Sequence, residues 1–382
     1  MNFRKLPAIL TTVLLIYLAS CGGGLQRAST PPTAAGFKKS PYLIYNDNNA
    51  QMIVLWQTTA TGPSTISWGI DTSYSSGIES VSELGSDHLF RHILTGLTPG
   101  QKYYYRVGLS DRTATGSFVA APTENGPAAL FLYGDTRTDP SEHDRVSAAM
   151  ISSYSANPAL QGIVLHTGDL VTDGEKMRDW DTDLFNPLYL NISRFLSEVP
   201  LQAVIGNHEG NGALYATFFP YPFLHGRYWS FDYGVVHVTV VDQHSIPGGG
   251  ISSEQLAWIA SDLAATTKPW KIILLHEPGW SAGDNPNNVS VQLNIQPLAK
   301  QYGAMVVGGH NHYYARAVID GVTHITTGGG GAPLYTPVLP SPQVVIAEMT
   351  YHFCTIEATA DTLLFKAVRT DGSYIETFTL TR

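Results

Sequence analysis

The tetrapeptide Gly206-Asn207-His208-Glu209 constrains this chain more than any other stretch. It follows the apolar run Val199-Pro200-Leu201-Gln202-Ala203-Val204-Ile205, which reads as a buried strand leaving its sheet at the carboxyl end. Gly206 permits a sharp turn there. Beyond the turn stand a carboxamide oxygen that can ligate a metal and an imidazole that can do proton chemistry. Four further stretches end an apolar run in the same manner, three of them through a glycine: Gly134-Asp135, Gly168-Asp169, His276, and Gly309-His310-Asn311-His312. Strands that deliver ligands at their carboxyl ends predict an α/β domain with its site along one sheet edge.

The remaining chain divides around that domain. Between Phe37 and Ala121 short alternating strands recur: Gln51 to Trp56, Ser64 to Trp68, His88 to Leu94, Lys102 to Gly108 and Thr113 to Val119. Turn residues such as Asn46-Asp47-Asn48-Asn49 and Leu97-Thr98-Pro99-Gly100 separate them, a spacing that predicts an all-β sandwich over 37–121. From 122 to 382 apolar strands alternate with helices. Helices are expected around Ser141 to Ser153, Arg178 to Ser197 and Ser252 to Leu263, and a paired strand run from Tyr228 to Val241.

The ligand types define the chemistry. Asp135 and Asp169 supply hard anionic oxygens, Asn207 a neutral oxygen, and His276, His310 and His312 imidazole nitrogens. Such a mixed set suits Zn, Fe or Mn better than Ca or Mg. Two ions about 3.5–4 Å apart need a shared anion, and a carboxylate bridges naturally.

These blocks, in this order, resemble those of the calcineurin-like metallophosphoesterases, and specifically the purple acid phosphatases. The resemblance extends to Tyr228-Trp229-Ser230-Phe231-Asp232-Tyr233-Gly234, to Gln255 and Trp258, to His276-Glu277-Pro278 and to Gly328-Gly329-Gly330-Gly331-Ala332. Within the sandwich, Leu97 to Val107 resembles the penultimate-strand region of fibronectin type III domains. The resemblance implies a fibronectin type III-like sandwich followed by an α/β metallophosphoesterase domain of two packed mixed sheets flanked by helices. It implies two divalent or mixed-valence metal ions and a phosphorylated substrate hydrolysed by metal-bound hydroxide. Carried over residue by residue, Asp135 binds the first metal, Asp169 bridges both, and Asn207, His276 and His310 complete the second site. His312 returns to the first, and His208 protonates the leaving oxygen or stabilises the transition state. The implied activity is that of a phosphomonoesterase. The alternatives are a phosphodiesterase on the same scaffold, or a surface-binding lipoprotein whose site has degenerated.

Two positions depart from the family pattern. Where the family has Gly, or His in the wider superfamily, two residues after the first aspartate, this chain has Arg137; where purple enzymes place a ligand Tyr, it has Thr172. The first site is therefore one protein ligand short. His143, at the start of the following helix, is the nearest replacement, with Asp173 and Thr172 behind it, and water is the alternative. Arg137 cannot ligate a metal, but a guanidinium beside the site suits bidentate binding of phosphate oxygens; the other reading is a salt bridge orienting Asp135 or Asp139. His225 and His244 read as loop histidines, with contact to substrate the lesser alternative, whereas His237, inside a strand, reads as a satisfied core or surface histidine.

Charge and address narrow the partners. The formal net charge is −9 and charged residues make up only 14%; that field disfavours broad nucleic-acid binding. Residues 1–20 read as a signal peptide, with basic Arg4 and Lys5 followed by an apolar stretch too short to span a bilayer. Leu18-Ala19-Ser20-Cys21 resembles the bacterial lipoprotein signal, implying an extracytoplasmic protein anchored to a membrane through lipid on Cys21, with 21–36 as a flexible tether. Cys354, the other cysteine, lies in an apolar strand-like run and reads as core.

Overall fold

The first eight strands of the computed structural model form two sheets. They are β1 (Phe37–Ile44), β2 (Met52–Thr58), β3 (Ser64–Gly69), β4 (Gly77–Val81), β5 (Glu83–Leu84), β6 (Leu89–Leu94), β7 (Lys102–Leu109) and β8 (Arg112–Val119). The sheet orders are β1-β2-β6-β5 and β4-β3-β7-β8. Apolar residues on the facing sides meet in a core of Val54, Trp56, Ile66, Phe90, Tyr105, Val107 and Phe118, where Trp56 stacks on Phe90 at 5.5 Å. The structure describes residues 36–382 except 110–111, 225 and 247–248. The signal peptide, Cys21, the tether up to residue 35 and His225 therefore lie outside the described residues.

Strand β1 escapes the alternating pattern because Pro41 and two lysines interrupt it. Its register against β2 shifts on either side of Lys39, and it takes the sheet edge, where a proline is tolerated. Tyr42, Ile44, Ile53 and Leu55, on β1 and β2, join the large core of the following domain. Lys39 is fully buried against that domain. Its ammonium pairs with Asp181 and lies 4.6 Å from the Phe218 ring centre, and burial pulls its pKa down to about 8. The sandwich is thus joined to its neighbour by a shared apolar core and an ion pair whose lysine is buried.

The α/β part continues with β9 (Ala128–Tyr133), α1 (Pro140–Ala156), β10 (Ile163–His166), α2 (Met177–Asp179), α3 (Leu190–Glu198) and β11 (Leu201–Ala203). Next come α4 (Ala213–Phe218), β12 (Trp229–Tyr233), β13 (Val236–Val240), α5 (Ser253–Ala265), β14 (Trp270–Leu274), α6 (Gln296–Tyr302) and β15 (Ala304–Gly308). The chain ends with β16 (Tyr314–Ile319), β17 (Val322–Thr327), β18 (Val344–Glu348), β19 (His352–Ala358), β20 (Thr362–Arg369) and β21 (Tyr374–Thr381). These strands form a six-stranded sheet, β11-β10-β9-β19-β20-β21, and a seven-stranded sheet, β12-β13-β14-β15-β17-β16-β18. In the first sheet β9, β10 and β11 are parallel; in the second, β13, β14, β15 and β17 are parallel. Such strands, covered on both faces, consist almost wholly of buried apolar residues, as β9, β10 and β14 do.

The single helix expected from Arg178 to Ser197 is two. A short turn, α2, passes into a wider turn over Trp180–Leu184 and stops; α3 begins after Asn186-Pro187. Proline lacks an amide hydrogen and disfavours helical geometry in the residue before it, so the helix cannot run through. The expected hairpin over Tyr228 to Val241 is present as the antiparallel pair β12–β13, and Cys354 is buried in β19. No described helix is long and apolar enough to cross a membrane.

Candidate metal centre

Six of the seven candidate metal ligands read from the sequence lie just beyond the carboxyl end of a parallel strand; His143 does not. Asp135 follows β9, Asp169 follows β10 and Asn207 follows β11; His276 follows β14, and His310 and His312 follow β15. The site therefore draws on both sheets. Asp135, Asp169 and His310 have φ of 56°, 57° and 66°. Left-handed backbone at such residues costs about 1–3 kcal/mol each and is held only by surrounding structure. Glycines let the loops approach: a Cβ on Gly206 would collide with the Asp169 carboxylate, and one on Gly309 with that of Asp135.

Two donor clusters share Asp169. Asp169, His276 and His310 form one, and Asp135, Asp169 and His312 the other; within each, the candidate ligand atoms lie within 4.8 Å of one another. The shared carboxylate divides its oxygens: Oδ1 is 3.3 Å from His276 Nε2, while Oδ2 faces Arg137. His276 Nδ1–H donates to the Thr167 carbonyl at 2.7 Å, leaving an Nε2 lone pair 3.0 Å from Asn207 Oδ1 and 3.1 Å from His310 Nδ1. His312 is oriented likewise, its Nδ1–H donating to the Pro333 carbonyl at 2.7 Å. Carbonyl acceptors on the outer nitrogen are the usual way to aim a ligating imidazole.

The electrostatics agree with that chemistry. Burial lowers His310 to about 3 and His312 to about 4, which keeps both neutral, the form that ligates. Burial and the neighbouring Asp169 raise Asp135. Burial acts to raise Asp169 too, but His276, His208 and Arg137 outweigh it and hold that carboxyl low. Convergent lone pairs and carboxylates without enough hydrogen-bond donors are what a bound cation satisfies, so the residues present fit transition-metal ions at both clusters.

Around the donors, His208 lies at the rim with its side chain 27% exposed. Its amide donates to Asp169 Oδ1 at 3.0 Å and its Nδ1–H to the Thr172 carbonyl at 2.6 Å. Its Nε2 is 3.8 Å from Asp169 Oδ2. The hydroxyl of Thr172 turns away to Asp183 at 2.8 Å and supplies no ligand. Glu209, whose role the sequence left open, accepts amide hydrogens from Gly206, Asp169 and Leu170 at 2.7–3.0 Å and so ties two ligand loops together.

His143 does not join the first cluster. Its ring lies buried behind the loop, Nε2 3.2 Å from the Tyr133 hydroxyl, and burial lowers it to about 3. The helix start that brings it near in sequence points it into the core. Arg137 does reach the site, but its ion-pair partner is Asp169 at 3.2 Å, not Asp135 or Asp139. Tyr335 was not anticipated: its ring stacks on His312 with centroids 4.0 Å apart. It comes from a loop remote in sequence from the ligand blocks, and a lone aromatic in such a loop carries no periodic signal. His244 stands beside the second cluster, 6.4 Å from the His276 ring, with its Nε2 buried and unpartnered. His237 is hydrogen-bonded at both nitrogens away from the site.

Paired donor clusters sharing one carboxylate, at the strand ends of two sheets, form a candidate two-metal site. Family comparison agrees. Residues 155–314 match the calcineurin-like phosphoesterase family, and residues 39–120 match the purple acid phosphatase N-terminal domain. Purple acid phosphatase 15 of Arabidopsis thaliana is 25% identical over 64% of this chain and 54% of its own length. A purple acid phosphatase of Glycine max is 27% identical over 61% of this chain and 54% of its own. The chain thus spans about half the length of the curated relatives it matches. In fold it is similar to the purple acid phosphatase PPD1 from Lupinus luteus seeds, with a TM-score of 0.74 and 19% identity, covering 90% of this chain and 75% of that one. The chain carries a calcineurin-like phosphoesterase domain behind a purple acid phosphatase N-terminal domain, and its homologues are purple acid phosphatases.

Proposed function

We propose that this chain hydrolyses phosphate monoesters with two divalent or mixed-valence ions of Fe, Zn or Mn. The observation that carries the proposal is the pair of donor clusters divided by Asp169. Asp135, Asp169 and His312 would hold one ion, and Asp169, Asn207, His276 and His310 the other. Bound there, the ions would supply an acidified water and neutralise phosphate charge. The protein's own part is orientation and proton handling. The carbonyls of Thr167 and Pro333 aim His276 and His312, and the Thr172 carbonyl leaves His208 with Nε2 toward the centre. When protonated, that nitrogen is placed to donate to a departing alkoxide. The relatives' name, purple acid phosphatase, favours monoesters over diesters.

The test is hydrolysis of chromogenic phosphate mono- and diesters by metal-depleted protein reloaded with Zn, Fe or Mn. Metal-dependent turnover, faster on the monoester, is expected. Faster diester turnover would reassign the substrate class. Folded, metal-loaded protein inert to both would overturn the reading.

A further inference from the structure

The two clusters differ in what already occupies the space between their donors. Arg137 extends from the loop after β9 across the first cluster. Its Nε donates to Asp169 Oδ2 at 3.2 Å, its Nη2 lies 3.4 Å from His312 Nε2, and its Nη1 donates to Thr138 Oγ1 at 3.3 Å. Asp169 and His312 are two of the three donors of that cluster, and the third, Asp135 Oδ1, is 3.6 Å from the same His312 nitrogen. The guanidinium therefore spans the donors that a first ion needs. The second cluster's donors meet one another and backbone groups instead: Asn207 and His310 face His276, and Asp169 Oδ1 accepts the His208 amide.

We infer that Arg137 is a built-in counter-cation that competes with the first metal ion, so that the two sites load unequally. The inference rests on the two-metal reading above. An ion enters the first cluster only if the side chain swings out, trading its bonds to Asp169 and His312 for solvent. The side chain is 16% exposed, and it hangs from a loop residue next to Thr138, whose φ is +75°. Among the described residues, no Lys or Arg pairs with the donors of the second cluster other than the shared Asp169. The expected protein is one that keeps one ion tightly and exchanges the other, with the arginine inward in the one-metal form and outward in the two-metal form. Once outward, its planar fork lies beside the centre, where a phosphate oxygen pair would suit it.

The experiment is stepwise zinc loading and chelation of the full chain, counting metal per chain. The proteins are wild type, Arg137→Ala and Arg137→Gln, each also in a His312→Ala background. Wild type should show one tight and one weaker equivalent. Either arginine substitution should tighten the weaker equivalent by about tenfold or more, the scale on which neighbouring groups tune metal affinity, and leave the tight one unchanged. With His312→Ala the substitutions should change nothing. Thermal unfolding of the metal-free proteins checks that both variants are folded, and either one alone decides the matter. Identical curves for wild type and variants, equal tightening of both equivalents, or weaker binding in the variants would overturn the competition. Wild type and variants that bind no zinc would overturn the phosphoesterase reading itself, and the inference with it.

Discussion

Histidines stand at both ends of the seven-stranded sheet, and they are treated in opposite ways. At the carboxyl ends of β14 and β15, His276 and His312 each donate one nitrogen to a backbone carbonyl and leave the other as a lone pair facing the site. On β13, opposite Lys271 at the start of β14, His237 gives both nitrogens to carboxylates: Nδ1 to Asp232 at 2.7 Å and Nε2 to Asp262 at 3.0 Å. Burial acts against charge in both places. At the site it prevails, holding His310 and His312 at about 3 and 4. On β13 the bonds to Asp232 and Asp262 outweigh it and raise His237 to about 9. The same side chain, similarly buried, becomes a neutral candidate donor or a structural cation according to what its second nitrogen is offered.

The comparison breaks most completely at Asp169, the residue both clusters share. Asp169→Ala removes a donor from each, so both ions and all turnover should be lost together, as metal analysis beside an activity assay would show. Retention of one full metal equivalent would mean that the carboxylate does not bridge. A smaller effect is expected at His208, which borders the donors without joining either cluster. His208→Ala should lower kcat by about 10²–10⁴-fold, the range for general acid–base groups, with both ions retained. Unchanged turnover, or metal loss in that variant, would remove it from the proposed role.

The positions of the six candidate donors at strand ends were legible because each follows an apolar strand, a pattern of adjacent residues. Asp135, Asp169, Asn207, His276, His310 and His312 all appear where strand ends predict them. What depends on side-chain direction was not legible. His143 is close to Asp135 in sequence, yet α1 turns it toward Tyr133, since a helix start sets direction as well as distance. Tyr335 and Glu209 act through contacts between segments far apart in the chain, and no spacing within one segment encodes these. In the fold, the interior strands of the sandwich were readable from alternation. Strand β1 was not, because Pro41 breaks the pattern that the sheet edge then accommodates. The helix over Arg178 to Ser197 failed for the reverse reason: its apolar content persists across Asn186-Pro187, but its backbone cannot.

The smallest effect sharpens the contrast from the structural end. His237 is held charged by Asp232 and Asp262, with Ser230 and Thr239 hydroxyls also donating to Asp262 and Lys268 3.6 Å from Asp232. Its folded pKa of about 9 lies above the ordinary value of 6.5. The folded state therefore binds the proton more tightly than the unfolded chain, and the sign follows. The contribution is fully present below about pH 6.5 and is lost as pH rises through about 9. Asp232 is 43% exposed, so solvent screens part of the interaction, and a discounted magnitude is about 2 kcal/mol. His237→Gln keeps a polar side chain but not the charge. Denaturant unfolding of metal-free wild type and variant should then show the larger stability gap at acid pH, narrowing as pH rises through the window between those two values. A gap that is constant across that window would mean that His237 is held neutral, as the histidines at the carboxyl edge are, and the contrast between the two ends of the sheet would fail.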